Sequence, residues 1–440
     1  MSELRVAAER AVQLAQTAGA GQAAASAFEA RDVSVTWRDG KLETIAEATT
    51  SGVGIELYVD GRYASVSTSD LRPDALAAFV TEAVAMTRAI AEDRFRALPD
   101  PALYVGQSAV ELDLEDAAYD AVTAVQRREV AQQLEAAARD VPGAERILSV
   151  TTSCSDSRSE SYRVHSNGFS GGKRGTAFWL GAEVSVQDAD GRRPEDSAFA
   201  GARHRSALPD AARVGREATE RTLARLGASK GRSAVLPMVL DHRVGGRLLS
   251  HLLAPLHGGP LQQQRSFLQG RFGEQIGSNL LHLSDDPLLP GGFGSRLFDG
   301  EGLAARRFAL FEHGALRGAY LDTYYARKLG ELPTTARMSN LAWRLGDRDR
   351  AALIASVPEG ILVTGLLGGN SNATTGDFSL GVQGFAIEDG RIGAPLAEMN
   401  IAGNHLTFWK NLAAVGNDPY AYSAMRTPTL LFDAVQFAGT

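Results

Sequence analysis

Residues 33–67 read VSVTWRDGKLETIAEATTSGVGIELYVDGRYASVS, and they indicate the architecture of the first half of the chain. Apolar and polar residues alternate at positions 33–37 and again at 53–59. Alternation with a period of two predicts half-buried strands, and an Asp-Gly pair between two such runs predicts a hairpin turn. The Asp-Gly pairs at 39–40 and 60–61 therefore predict an antiparallel meander of three strands.

Helical patterns lie on both sides of this meander. A period near 3.6 predicts a first helix that ends at the glycines of residues 19–21. The same period predicts two later helices, over Pro73–Glu92 and Leu114–Asp140. Asp70 is the expected N-cap of the second helix, because a short acidic side chain can accept hydrogen bonds from free N–H groups there.

A second set of strands follows these helices. Residues 146–187 have a strand-like composition, interrupted by an Asn-Gly turn at 167–168, and a helix is predicted over 210–226. The fold class that we expect is α+β, with an N-terminal α+β region that combines an antiparallel sheet with long helices.

Glycine is distributed unevenly along the chain. Of the 46 glycines, 17 lie in the first 230 residues and the other 29 lie after them. A shift in composition of this kind indicates a domain boundary, which we expect near residues 227–233. The expected division is 1–229, as one region or as two subdomains of about 1–110 and 111–229, followed by 230–440.

The second half is predicted to be rich in β-structure. A buried strand over 234–240 precedes many short apolar runs that are bounded by glycine. Short strands with frequent turns are typical of a sandwich or a partly closed barrel. We therefore expect a glycine-rich, mostly antiparallel β domain with a few helices, over 242–253, 323–330 and 405–415.

Composition excludes several classes of protein. The net charge of −7 argues against nucleic acid as the main partner, because such proteins usually present a basic surface. A single cysteine, Cys154, excludes an intramolecular disulfide and a multi-cysteine metal site. Charged residues interrupt the first apolar stretch, and no apolar run approaches the ~18 residues of a membrane span. We expect a cytoplasmic protein that binds neither membranes nor nucleic acid.

Two short motifs match active-site fingerprints in spacing alone. Residues 168–172 read GFSGG and have the G-x-S-x-G spacing of a nucleophile elbow, which requires a helix after the serine. Residues 176–180 predict a strand instead. Residues 300–305 read GEGLAA and loosely match a dinucleotide fingerprint, which also requires a following helix, yet 306–311 predict a strand. We interpret both motifs as turns.

The histidines and acidic pairs form no catalytic pattern. His242, His251 and His257 are the densest histidine group, and none of their spacings is that of a helical zinc site. We expect the eight histidines at the surface and at interfaces. The acidic pairs lie in turns, where we expect solvated carboxylates: Asp285-Asp286, Asp299 with Glu301, and Glu388-Asp389.

Candidate residues for peptide binding also lie in three loops that are rich in asparagine and glycine. They lie at 368–372, 402–404 and 416–418. Such residues tolerate positive φ and allow close approach of a backbone, so these loops are either ordinary tight turns or the wall of a groove for an extended peptide.

Several motifs in the second half resemble those of the TldD/PmbA family, and the resemblance extends over nearly the whole chain. In the N-terminal meander, residues 39–43 also resemble the first domain of that family. The family's two paralogue types form a heterodimeric zinc protease. The motifs are Asp299–Gly302, Tyr325–Gly330, Thr375–Ser379, and Ile401–Asn404 leading to Gly416–Asp418.

The resemblance also implies which of the two types this chain represents. The catalytic type carries H-E-x-x-x-H on the helix after the domain boundary, and a cysteine ligand near the C-terminus. Here Ser250, His251 and Pro255 occupy the positions of the first histidine, the glutamate and the second histidine, and no cysteine follows residue 418. The chain therefore resembles the metal-free type, TldE (PmbA), with no catalytic residue and no metal ligand of its own.

The family then implies a function for the pair of subunits. A TldD-type partner would supply zinc, and the two chains would enclose a chamber that cleaves unstructured peptides, such as leader peptides of modified peptide natural products. Two alternatives stay open: a peptide-binding homodimer without protease activity, and an independent hydrolase with an unrecognised site. The residues that we expect to face the peptide or the partner are His251, Arg327, Asn370, Asp377 and Asn404.

Overall fold

One six-stranded antiparallel sheet forms the framework of the N-terminal half. It is seen in a computed structural model that describes residues 3–439. Both Asp-Gly turns have positive φ at both residues, as the tight hairpin turn requires: 47° and 78° at 39–40, and 47° and 73° at 60–61. The strands are β1 (Gln22–Arg38), β2 (Lys41–Val59), β3 (Arg62–Thr68), β4 (Ile147–His165), β5 (Ser170–Val186) and β6 (Glu195–Ala202).

The strands lie in the order β3-β2-β1-β4-β5-β6, so the predicted meander is confirmed. Since β1 pairs with both β2 and β4, a single sheet joins the two subdomains that the sequence suggested. The domain boundary near residue 230 stays a proposal.

Four helices pack on one face of this sheet. They are α1 (Glu3–Thr17), α2 (Pro73–Thr87), α3 (Ala124–Arg139) and α4 (Ala211–Leu223). The face carries the buried residues Ala25 and Val35 of β1, with α1 and α2 over one end and α3 and α4 over the other. Phe28 lies an odd number of positions after Ala25, so its side chain lies on the other face of β1. Phe28 pairs with Ser161 of β4, and Ser161 pairs with Lys173 of β5. These residues therefore lie on the face away from the four helices.

In this half the start of one predicted helix and the cap of another were wrong. The helix predicted from Leu114 begins at Ala124, because Thr123 and Gln126 form a capping box. Acidic residues before it bond to the backbone instead, for example Asp116 to the N–H of Ala118. Asp70 does not cap α2: its carboxylate accepts hydrogen bonds from the N–H and guanidinium of Arg72, which is the N-cap residue.

A five-stranded barrel forms the core of the C-terminal half. Its strands follow the order β14-β13-β12-β7-β16, and pairing of β14 with β16 closes it. β7 and β12 are parallel and the other pairs are antiparallel. The bounds are β7 (Ala234–Leu240), β12 (Glu359–Ser371), β13 (Asp377–Glu388), β14 (Arg391–Asn404), β15 (Leu412–Val415) and β16 (Leu430–Ala438). The predicted mostly antiparallel β domain is confirmed, and of the two expected forms it is the barrel.

Shorter elements surround the barrel. A small sheet of order β10-β9-β8-β11 contains β8 (Leu283–Asp285), β9 (Phe308–Glu312), β10 (Ala315–Leu316) and β11 (Leu341–Trp343). The helices are α5 (His242–Leu253), α6 (Gly258–Gln262), α7 (Thr323–Leu329), α8 (Arg350–Ala355) and α9 (His405–Phe408). The helix predicted over 405–415 was wrong in length, because β15 pairs with β16 from residue 412. No helix within residues 3–439 is both long and apolar enough to cross a bilayer.

Candidate functional site

Helix α5 carries Ser250 and His251, and Pro255 follows it; the family resemblance aligns these three residues with a zinc-binding motif. Asp241 caps the start of α5 by accepting a hydrogen bond from the N–H of Arg243 at 3.0 Å. One side of the helix is buried in the barrel core through Leu248, Leu249, Leu252 and Leu253. The helix therefore folds for packing reasons, independently of any ligand.

Ser250, His251 and Pro255 provide few atoms that could coordinate a metal ion. The Ser250 hydroxyl donates to the carbonyl of Arg247 at 2.7 Å. Pro255 is buried in a turn just after α5 and carries no side-chain donor atom. His251 is half-buried, its Nε2 has no hydrogen-bond partner among the described residues, and burial together with Arg247 lowers the pKa of its imidazole.

This set of donors does not fit zinc. A protein zinc site uses three or four N, S or O ligands, whereas these positions supply one imidazole and one hydroxyl. Cys154 lies on β4 in the N-terminal sheet, and burial raises the pKa of its thiol to about 11, so that it is protonated at neutral pH. Within residues 3–439, no three His, Cys, Asp or Glu side chains are grouped in a way that could hold a metal ion.

Three of the predicted groove residues come together where β12, β13 and β14 end. Asn404 Nδ2 donates to Asp377 Oδ1 at 2.8 Å and to the carbonyl of Thr375 at 2.9 Å. The hydrogen bonds that Asp377 accepts from the Asn404 amide and from the Thr375 hydroxyl lower the pKa of its carboxyl. Asn370 lies opposite Ser379 in the β12–β13 pair, and with Asp377 it lines an open depression. We call Asn370, Asp377 and Asn404 the strand-end cluster.

A buried histidine lies directly beneath the strand-end cluster. His405 is 0% exposed, and its ring stacks on Phe267 with centroids 5.5 Å apart. Burial and the neighbouring His251 lower the pKa of His405 to about 4, so the ring is neutral at pH 7. The effect of His251 on this pKa links α5 to the strand-end cluster.

The tautomer of His405 follows from its partners. The indole N–H of Trp409 can only donate, and it lies 3.2 Å from His405 Nδ1, so Nδ1 is the acceptor. The proton of the neutral ring is therefore on Nε2, which donates to Ser371 Oγ at 3.1 Å. In this form His405 cannot accept a proton from Ser371, so the pair lacks the chemistry of a serine nucleophile and its base.

Arg327 lies away from the strand-end cluster. Its guanidinium donates to the carbonyl oxygens of Phe95, Ala97 and Leu98 at 3.1, 2.8 and 2.6 Å. These bonds attach the loop after α2 to α7 in the C-terminal half. A role of Arg327 toward a peptide or a partner stays a prediction.

The structure corrects two expectations about polar residues. His165 and His405 are buried, at 3% and 0% exposure, and do not lie at the surface. The carboxylates of Asp285 and Asp299 are also buried, at 1% and 3%. Asp299 accepts hydrogen bonds from two N–H groups of its own turn, so a turn sequence alone did not reveal its burial.

Glu301 is likewise not a freely solvated carboxylate. Its carboxylate accepts hydrogen bonds from the N–H and the hydroxyl of Thr323 at 2.9 and 2.6 Å. Burial raises the pKa of Glu301 to about 7, although the two bonds from Thr323 act in the opposite direction. The motif at 299–302 thus builds an internal turn that is attached to the start of α7.

The fold defines a class of protein: an α+β chain in which a six-stranded antiparallel sheet covered by four helices precedes a five-stranded barrel. Comparison with known proteins gives the family. The chain belongs to the PmbA/TldA metallopeptidase family, whose models match domain 1 at residues 23–87, the central domain at 113–226 and the C-terminal domain at 233–439.

Relatives match over most of their own length. The metalloprotease PmbA of Escherichia coli O157:H7 is 30% identical over 412 residues, which cover 92% of this chain and 90% of the relative. A PmbA homologue of Haemophilus influenzae is 29% identical over 444 residues, which cover 99% of this chain and 96% of the relative.

Solved structures show the same fold. A protein of Bacteroides thetaiotaomicron, described as a candidate modulator of DNA gyrase, is 37% identical and superposes with a TM-score of 0.96 over 100% of both chains. TldE of Thermococcus kodakarensis has a TM-score of 0.86 over 98% of this chain and 100% of its own. At 20% identity, the second match supports the fold alone.

Proposed function

We propose that this chain is the metal-free subunit of a two-subunit zinc metallopeptidase. It pairs with a TldD-type catalytic paralogue, which holds the zinc, and the pair encloses a chamber that cleaves unstructured peptides in the cytoplasm. Leader peptides of modified peptide natural products are the substrate class that we propose.

The observation that carries this proposal is the donor set on α5. Ser250, His251 and Pro255 stand where a zinc peptidase needs two ligands and a general base, and together they supply one imidazole. Hydrolysis by zinc needs ligands that hold the ion and a base that takes a proton from its bound water. A chain that keeps the scaffold but lacks these groups depends on a second chain for the chemistry.

The strand-end cluster supports a role in peptide binding. Its residues lie at the open ends of three paired strands, and the depression beside them contains the polar edge of Asn370 and the carboxylate of Asp377. Polar side chains on an open surface can hydrogen-bond to the backbone of an extended peptide, and such bonds tolerate many sequences. We propose that this surface forms part of the chamber wall.

The alternative of an independent hydrolase has one structural candidate, the contact between Ser371 and His405. The tautomer of His405 argues against it, since the nitrogen next to the hydroxyl carries a proton. The peptide-binding homodimer has no specific contact in its favour. It becomes the better explanation if the source genome encodes no paralogue with an H-E-x-x-x-H helix.

The test compares the purified chain with the mixed complex. We expect no stoichiometric zinc in the isolated chain by elemental analysis and no cleavage of an unstructured peptide. Addition of the TldD-type paralogue from the same genome should produce peptidase activity that a chelator removes. One zinc per isolated chain, or cleavage by that chain alone, would overturn the proposal.

His251→Ala in the complex provides a second measurement. A single imidazole without co-ligands cannot hold a catalytic ion, so we expect the rate to stay within about tenfold of the unmodified complex. A loss of several orders of magnitude would mean that this chain contributes a catalytic group.

A further inference from the structure

A large cavity lies on the face of the N-terminal sheet opposite the four helices. Its volume is about 610 Å³, which is in the range of small-molecule sites. Strands β4 and β5 form its floor, and segments 110–115 and 295–298 form its walls. The cavity is therefore built from both halves of the chain and lies outside the strand-end cluster and α5.

Four cationic residues border this cavity. The side chain of Arg174 lies on the opposite face of β5 from that of Lys173 and pairs with Glu160 at 3.1 Å. Lys173, Arg203 and Arg296 form no ion pair with any carboxylate of residues 3–439. Half-buried cations that form no ion pair repel one another in a medium of reduced dielectric, and the more distant carboxylates of Asp285 and Asp299 offset only part of this repulsion.

The two arginines are held rigidly by carbonyl groups. Arg203 donates to the carbonyl of Phe293 at 2.6 Å and to that of Thr176 at 3.1 Å. Arg296 donates to the carbonyls of Arg337 and Met338 at 2.5 and 3.2 Å. Carbonyl groups fix the positions of these guanidinium ions but do not neutralise them. The positive charge of the cavity is thus built into the fold.

Lys173 is the flexible cation of the group. Its Nζ lies 4.5 Å from the centroid of the Phe298 ring, and no hydrogen bond joins it to another described residue. Burial, and to a smaller extent Arg296 and Arg163, lower the pKa of this ammonium while Asp299 offsets part of the effect, and the resulting pKa is about 8. An anion beside Nζ would stabilise the charged form.

We propose that this cavity binds an oxyanion, a carboxylate or a phosphate group, and that Lys173 donates to it. Arg203 and Arg296 supply the surrounding positive potential, and the hydroxyls of Ser159 and Ser161 line the same floor as further donors. Glu111, Asp113 and Glu115 also line the cavity, but all three are exposed to solvent, where their charge is screened.

Binding to the full chain is measured calorimetrically with two probes. The first is inorganic phosphate, and the second is a short peptide with either a free or an amidated C-terminus. We expect Lys173→Gln to weaken binding at least about tenfold, because a charge-assisted hydrogen bond is lost. Lys173→Arg should retain binding, and the exposed Lys41→Gln is the matched control, which should behave as wild type.

The probes also identify the source of the anion. Stronger binding of phosphate indicates a phosphate ligand, and stronger binding of the free-acid peptide than of its amide indicates a carboxylate. Equal affinity of wild type and Lys173→Gln, or binding of neither probe at millimolar concentration, would overturn the proposal.

Chemical labelling of wild type keeps the test valid if Lys173→Gln does not fold. An amine reagent at about pH 8 should modify Lys173, and the bound probe should reduce that rate at least about tenfold while the rate at Lys41 is unchanged. Labelling of Lys173 at the same rate with and without both probes would contradict an anion site.

Discussion

Replacement of Arg327 by alanine should release the loop after α2 and leave the strand-end cluster intact. The guanidinium donates to three backbone carbonyls, those of Phe95, Ala97 and Leu98, at 2.6 to 3.1 Å. The contacts join α7 to a loop about 230 residues earlier in the chain. Alanine removes all three donors at once.

The size of the effect follows from the number of bonds. A hydrogen bond from a charged group stabilises by roughly 1.5–3 kcal/mol. Water can replace part of this at a half-buried side chain, so we expect a loss of about 3 kcal/mol for the three together. Such a loss raises the population of the open loop by about two orders of magnitude.

Amide hydrogen exchange in the loop is the suitable assay, because a global melting curve of a chain this large need not be two-state. Exchange of residues 89–105 should accelerate about a hundredfold in Arg327→Ala. The matched control is Arg317→Ala: Arg317 pairs with Glu312 at 3.2 Å with both side chains about half exposed, and such a pair contributes at most about 1 kcal/mol. Unchanged exchange in the loop, with reduced peptide cleavage by the complex, would refute the structural role and favour contact with the peptide.

Three further predictions concern buried ionisable groups. Asp156→Asn should destabilise the chain by about 3–5 kcal/mol in denaturant unfolding, because it leaves the Arg127 guanidinium, 3% exposed, without its counter-ion; a loss below 1 kcal/mol would contradict this. The pKa of His405 is lowered to about 4 from an ordinary 6.5, so its contribution to stability should be lost as the pH falls from about 6.5 to about 4, and His405→Gln should flatten this part of the stability profile. The pKa of Glu301 is raised to about 7 from 4.5, so the native state favours the protonated form and should lose stability as the pH rises from about 4.5 to about 7; Glu301→Gln should remove that slope, and an unchanged slope would contradict the assignment.

Local sequence patterns predicted the helices, strands and turns that depend on neighbouring residues alone. The meander followed from alternation and from two Asp-Gly turns, and α5 was predicted over 242–253, directly after the buried strand at 234–240. Closure of the barrel could not be predicted in this way. It depends on the pairing of Asn400 with Ala438 and of Ile401 with Phe437, and no local pattern encodes which strands meet across nearly forty residues.

The residues of the candidate site were also predicted only in part. Asn370 and Asn404 came from asparagine- and glycine-rich loops and Asp377 came from a family motif, and they do lie together because β12, β13 and β14 are neighbours. The contact between Ser371 and His405 was missed, since a serine within a strand and a histidine at a helix start form no recognisable motif. Arg327 was selected from a family motif, and its contacts with three carbonyls are visible only in three dimensions.

Packing as well as residue identity disfavours a metal site on α5. Pro255 is buried against the barrel core, so a histidine there would have to place a polar ring among apolar side chains. Ser250 is exposed enough to accept a larger side chain, yet a histidine at this position would gain only His251 as a neighbouring ligand on the helix. Two imidazoles without a third ligand bind zinc weakly. Restoring zinc chemistry therefore needs changes in the core around α5, which is a physical reason to seek the catalytic groups in a second chain.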